Sequence, residues 1–192
     1  MLQVYTGDGK GKTTAAIGLA VRSLGAGHSV FIMQFMKSLA YSEQKVLMRF
    51  PEQLVIKTSG KPCFIVPEGT LSDEELNKWG NDVVVFPYGK PPVDYANMII
   101  ASFAETIDAV LSKEYDLLIL DELNMAMYFG LINESLVQDG LAKLTTKTKT
   151  EVVITGRKAP DWLLEMADLV TEMREIKHYY RKGIEARIGI EN

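Results

Sequence analysis

Hydrophobic positions fall into two alternating rhythms along the chain. Residues 2–6 (LQVYT) form a short β-favouring run, and the glycines Gly7, Gly9 and Gly11 end it. Residues 13–24 follow with helical spacing, placing Ala16, Ile17, Ala20, Val21 and Leu24 on one face, and Gly25 and Gly27 stop them. The run SVFIMQF at 29–35 is apolar almost throughout, as expected of a strand covered on both faces.

Residues 38–92 carry a weaker signal. A strand is predicted at 54–57 and a short helix at 72–80, where Ser72 and Glu75 have capping-box spacing. Pro62, Pro67, Pro87, Pro91 and Pro92 divide the rest into loops, the usual composition of a binding loop or lid.

Strong periodicity returns at 95–113, with Tyr95, Ile99, Phe103, Ile107, Val110 and Leu111 on one stripe. A buried strand at 116–120 ends in Asp121 and Glu122, and a helix at 134–144 takes Asn133 as its cap. Residues 151–155 read as a parallel strand that runs into Gly156 and Arg157. Pro160 opens the next helix, at the position where its missing N–H costs nothing. The last strands are expected at 168–173 and 185–190. Strands alternating with helices imply right-handed crossovers, hence an α/β fold with a mainly parallel sheet flanked by helices.

The 192 residues suit one domain, 1–192, with the loop-rich 38–92 as its substrate region. A net charge of -4 excludes a general nucleic-acid binder, which needs a basic face. The lone Cys63 allows no internal disulfide and fits a reducing compartment. Met1 leads within one residue into the first strand, so no signal peptide is expected. No apolar run approaches the ~20 residues of a membrane-spanning helix. A soluble cytoplasmic protein is the expectation.

The segment TGDGKGKTT at 6–14 lies between a strand and a helix. Glycines there let successive backbone N–H groups turn toward phosphate oxygens, and the helix N-terminus adds its positive dipole end. Gly7, Asp8, Gly9, Lys10, Gly11, Lys12, Thr13 and Thr14 are the candidate ATP-binding residues. Lys12 would neutralise the β- and γ-phosphates and the Thr13 hydroxyl would bind Mg²⁺. The loop is a variant: the usual pattern asks for glycine at position 6, which holds Thr6, and the glycine arrives one place later as Gly7. Two readings stand for Lys10, a phosphate contact or a solvated loop lysine.

The acid-tipped strand LLILDE at 117–122 supplies a magnesium site at the same sheet edge. Glu122 takes the metal role with Asp121 behind it, or the reverse. Arg157, at the tip of a later strand, either reaches the triphosphate or is a surface arginine.

Five collinear segments resemble the ATP:corrinoid adenosyltransferases of the cobalamin pathway. They are TGDGKGKTTAAIGLAVRSLGAG at 6–27, IMQFMK at 32–37, LDELNMAMYFGLI at 120–132, VVITGR at 152–157 and DLVTEMREIKHYYRKGIEARIGIE at 168–191. The displaced glycine is usual in that family. The resemblance implies a RecA-like P-loop fold, commonly a homodimer, with a reductase supplying electrons. It also implies a reaction in which cobalt(I) of a reduced corrinoid attacks the 5′-carbon of ATP and triphosphate leaves. Lys12, Thr13 and Glu122 would then carry catalysis. Two departures stand out. Family members carry an extension ahead of the first strand. They also carry a Thr-Gly-Phe-Thr-Trp-like stretch near the corrin ring, for which residues 58–64 offer a counterpart only at Phe64.

Cobalt(I) brings no proton to remove, so no general base is required, and the chain offers no nucleophile–histidine set. His28 and His178 read as structural or solvated, and no Cys/His cluster suits zinc. Phe64, Trp79 and Tyr88 are candidates for displacing the lower axial ligand of the corrinoid. Two other functions share the same cradle: a P-loop kinase or ATPase, which yields ADP, and a nucleotide-dependent switch that binds a partner protein.

Overall fold

A computed structural model of the chain describes residues 1–38, 41–61, 63–80 and 83–191, without the side chains of residues 75 and 79. Six strands form one sheet: β1 (Leu2–Thr6), β2 (Val30–Phe35), β3 (Leu54–Ser59), β6 (Leu117–Asp121), β7 (Glu151–Thr155) and β8 (Leu169–Glu172). Their order is β3-β2-β6-β7-β1-β8, and every ladder is parallel. The architecture is the expected P-loop NTPase-like α/β fold. One detail differs from a simple reading of the two motifs: β7 lies between β1, which leads into the glycine loop, and β6, which ends in the two acids.

Pleating divides the apolar residues between the two faces. Val30, Ile32, Leu117, Ile119 and Val153 pack under α1 (Lys12–Gly25), against Ala16, Ala20 and Leu24. Val21, expected on that face, is 55% exposed, because the helix meets the sheet through the narrower 16-20-24 stripe. Phe31, Met33, Phe35, Leu118, Leu120, Val152 and Ile154 face the opposite layer. That layer holds α4 (Val93–Ser112), which buries Tyr95, Ile99, Phe103, Ile107 and Val110 as the sequence stripe predicts. It also holds α6 (Glu134–Lys147), capped by Asn133, whose side chain accepts from Ser135 N–H. Further on, α7 (Asp161–Met166) starts one residue later than expected, with Pro160 as its extended N-cap.

Residues 38–92 hold more regular structure than the sequence predicts. Besides β3, they form α2 (Ser42–Leu47), β4 (Phe64–Pro67), α3 (Asp73–Trp79) and β5 (Val83–Phe86). β4 and β5 pair in parallel as a separate two-stranded sheet. At four residues each they are too short for periodicity to register. The capping role predicted for Glu75 lies outside the described residues, as does the side chain of Trp79. The short helix α5 (Leu123–Tyr128) follows β6 directly.

The strand expected at 185–190 does not form. Arg187 N–H donates to Glu191 Oε2 at 2.8 Å, and the Arg187 carbonyl accepts from Ile190 and Glu191, closing a turn through Gly189 at φ 79°. Alternation in ARIGI imitates a strand, but a left-handed glycine inside the run breaks it. This tail, after a 3-10 turn at Tyr179–Lys182, lies over the carboxyl ends of the strands.

Candidate functional site

The glycine loop is shaped by β8 as well as by any ligand. Thr6 carbonyl accepts from Met173 N–H, and Gly9 N–H donates to Met173 carbonyl at 2.6 Å, so the end of β8 is stitched to the loop. A Cβ on Gly7 or Gly9 would come within 2.5 Å or 2.7 Å of that carbonyl oxygen. Gly7 is also left-handed, at φ 92°. The displaced glycine therefore has a local cause: the chain needs it where β8 crosses. Gly9→Ala is expected to destabilise the protein by about 1–3 kcal/mol through this backbone clash, read as a lower thermal midpoint by calorimetry.

Beyond Gly9 the loop enters α1 through Gly11, left-handed at φ 119°, with no side-chain cap. The first-turn N–H groups of Lys12, Thr13 and Thr14 have no intrahelical acceptor and are available to an anion. Lys12 lies 7% exposed among them, its Nζ donating to the carbonyls of Gly7 (2.8 Å) and Gly9 (2.7 Å). Burial pulls its pKa below the usual lysine value, while Glu122 works against that.

Three neighbouring strands carry polar residues on the α1 face at or next to their carboxyl ends: Gln34 on β2, Asp121 on β6 and Thr155 on β7. All three are buried, and Asp121 is their hub. Its Oδ1 accepts from Thr13 Oγ1 (2.9 Å) and Thr155 Oγ1 (2.6 Å), and its Oδ2 from Gln34 Nε2 (3.0 Å) and Lys37 Nζ (2.7 Å). Burial alone would raise the Asp121 pKa, but the Lys37 ammonium, helped by the Thr155 hydroxyl and the Gln34 amide, outweighs it and lowers the pKa below the usual carboxylate value. Gln34 is fixed in turn by Gln44 of α2, which donates to its side-chain oxygen at 2.7 Å.

Glu122 contrasts with its neighbour. At φ 62° its backbone is left-handed, which turns the side chain off the strand direction, and its N–H donates to Thr155 Oγ1. Its carboxylate has no hydrogen-bond partner among the described residues. Burial and the adjacent Asp121 raise its pKa, against the pull of Lys37, Lys12 and Arg157. Met36 (φ 56°) and Lys158 (φ 56°) are left-handed too, and they flank Lys37 and Arg157. All three bends lie just beyond sheet strands around one cleft. Such backbone is disfavoured for residues with a Cβ, by roughly 1–2 kcal/mol each, and it clusters where side chains must be aimed.

These elements border a cleft of about 660 Å³. Gly9, Lys10, Gly11, Lys12, Thr13, Thr14, Glu122, Arg157 and Phe64 all line it, so the structure assembles most of the residues predicted from sequence. Three others sit elsewhere. Gly7 is beneath the loop, Asp121 is 0% exposed behind Thr13, and Asp8 faces an adjoining cavity with Arg157, Glu172, Arg174 and Arg181. Arg157 thus borders both spaces. Of the aromatic candidates Phe64 reaches the cleft, while Tyr88 does not line it and is 71% exposed. His178 stands on the rim, where its Nδ1 accepts from Tyr180 N–H at 3.2 Å, a capping role.

Sequence reasoning missed Lys37 and Gln34, and it placed Thr155 at a strand tip beside Arg157 without giving it a role. The rule that flagged Asp121, Glu122 and Arg157, a polar residue at the tip of an apolar strand, applies equally to Gln34 and Lys37 in IMQFMK.

Among the described residues no group of three His, Cys, Asp or Glu could hold a metal ion unaided. A hydroxyl and a carboxylate without a hydrogen-bond partner among the described residues, beside the free amides of the first turn of α1, suit a cation that takes most of its ligands from phosphate and water. Magnesium, an octahedral oxygen binder, fits that donor set.

The sequence matches the family described as ATP:corrinoid adenosyltransferase BtuR/CobO/CobP over residues 1–192. The chain belongs to this family. Among its relatives is the corrinoid adenosyltransferase of Pseudomonas aeruginosa, 33% identical over 195 residues, covering 100% of this chain and 83% of that protein. Another is the corrinoid adenosyltransferase of Escherichia coli K12, 31% identical over 189 residues, covering 98% and 83%. In this member of the family the glycine loop and the end of the acid-tipped strand meet at one cleft. No helix among the described residues of this family member is long and apolar enough to cross a membrane.

Proposed function

We propose that this protein transfers the 5′-deoxyadenosyl group of ATP to cobalt(I) of a reduced corrinoid, releasing triphosphate, as one domain acting in the cytoplasm. One observation carries the reading: in a chain of this family, the uncapped N-terminus of α1, Lys12 and an unpartnered Glu122 border the same cleft. The cobalt lone pair forms the Co–C5′ bond, the C5′–O bond breaks, and the triphosphate departs with that electron pair. No proton moves, which suits a cleft whose acids and lysines are charged partners rather than a base and its orienting group.

The protein's part is positioning and charge stabilisation. The N–H groups of residues 11–14 and the Lys12 ammonium grip the triphosphate, Arg157 approaches it from β7, and Lys10 adds positive charge at the rim. Thr13 Oγ1 and Glu122 would hold Mg²⁺, with Asp121 acting through Thr13 because its own lone pairs are taken. Bound there, the ion would neutralise charge on the leaving group. Ile17, Tyr41, Val46 and Phe64 give the cleft an apolar wall suited to the sugar, base or corrin.

The test is direct. Protein, Mg–ATP and chemically reduced corrinoid should yield the absorbance of an alkylcobalt product and, by phosphorus NMR, triphosphate without ADP. ADP in the product, or no corrinoid dependence, would sink the reading. Phe64→Ala should raise KM for corrinoid about tenfold, the loss of one aromatic contact, and leave KM for ATP unchanged. In the working enzyme a reductase supplies the electrons and two copies associate, the latter measurable by light scattering.

A further inference from the structure

Lys37 sits where a cation bound by Thr13 would sit. Its Nζ is 2.7 Å from Asp121 Oδ2 and 3.2 Å from Thr13 Oγ1, and it lies 5.3 Å from the centre of the Tyr41 ring. The side chain is only 14% exposed. Met36, left-handed and tied through its N–H to the Ser59 carbonyl at 2.6 Å, aims it there from the end of β2. Magnesium bonds oxygen at about 2.0–2.1 Å and demands a near-ideal octahedron. An ammonium nitrogen 3.2 Å from the Thr13 hydroxyl stands inside the space such an octahedron would need.

We infer that Lys37 is a positioning residue that fills the cation seat of the nucleotide-free protein and yields it only when metal and nucleotide arrive together. This rests on the reading that Thr13 and Glu122 hold the metal. Charge explains the order of events. Lys37, Lys12 and Arg157 all act on Glu122, against the one further carboxylate of Asp121, while Lys10, Glu43 and Glu191 also line the cleft. A bare divalent cation would add to the positive charge of those first three side chains, whereas a cation carried by a polyanion offsets it. While the seat is empty of metal, the ammonium keeps Asp121 and Thr13 in place. Once displaced, its flexible stem leaves it among the triphosphate oxygens, where it serves as a further donor.

The experiment is a Mn²⁺ titration of nucleotide-free protein followed by electron paramagnetic resonance, using Mn²⁺ as the stand-in for Mg²⁺. Lys37→Met and Lys37→Gln should bind Mn²⁺ about tenfold or more tightly than the parent, because a like charge has left the seat. Adding Thr13→Val to Lys37→Met should abolish the gain, and Lys37→Arg should behave as the parent. Should a variant fold poorly, Mn²⁺ should raise its thermal midpoint while leaving the parent's unchanged. Folded variants with parental Mn²⁺ affinity, or poorly folded ones that Mn²⁺ does not rescue, overturn the proposal. A parent protein that does bind Mn²⁺ with ATP in a Thr13- and Glu122-dependent way, beside a Lys37→Met that gains nothing, strikes the lysine's role alone. If that ternary site is missing as well, the underlying metal assignment falls with it.

Discussion

Lys12→Ala lowers kcat/KM by about 10²–10³-fold, the usual cost of removing one preorganised donor to a developing negative charge. The fold should survive. Among the described residues Lys12 Nζ bonds to the Gly7 and Gly9 carbonyls, and the loop has independent anchors in the Thr6 and Gly9 bonds to Met173. Steady-state kinetics beside circular dichroism checks both halves. Lys12→Arg should recover little, because a planar guanidinium does not fit a seat shaped by two converging carbonyls around a compact ammonium. A variant retaining more than a tenth of parental kcat/KM would show that the triphosphate is held elsewhere.

Asp121→Ala has the largest expected effect on stability, about 3–5 kcal/mol, the range for stripping one partner from a buried ion pair. Lys37 would keep its charge but lose its bonded counter-ion, and Thr13, Gln34 and Thr155 would each lose an acceptor. In a chain of this size that corresponds to a fall of about 10 °C in thermal midpoint. The double variant Asp121→Ala with Lys37→Met should be markedly more stable than Asp121→Ala alone, since the orphaned charge is removed too. Differential scanning calorimetry of the four-member cycle gives the coupling, and additive effects would mean that the ion pair contributes nothing.

The glycine loop was legible in the sequence because its signal is local. A glycine loop, a lysine and a hydroxyl between a strand and a helix occupy nine consecutive positions, and each has its own steric or electrostatic reason. Glu122 and Asp121 were visible as a pair, but their division of labour was not. It depends on pleat direction and on a left-handed turn at Glu122 that nothing in its composition announces. Lys37 escaped because its partner Asp121 is 84 residues away in the chain. The strand misread at 185–190 failed for the converse reason: its alternation was real, but the Arg187–Glu191 contacts fold it into a turn. The short β4–β5 pair placed Phe64 at the cleft from a segment too proline-broken for periodicity to describe.

The hub at Asp121 also bears on how the molecule matures. Its donors are separated from it by 108, 87, 84 and 34 positions, so it is complete only once α1, β2, β6 and β7 have come together. Loop closure over such spans is slow, and contacts of this kind form late on the path to the native state. Competence to bind nucleotide should therefore appear only with the kinetic phase in which these elements meet, making ligand capture a stopwatch for that assembly.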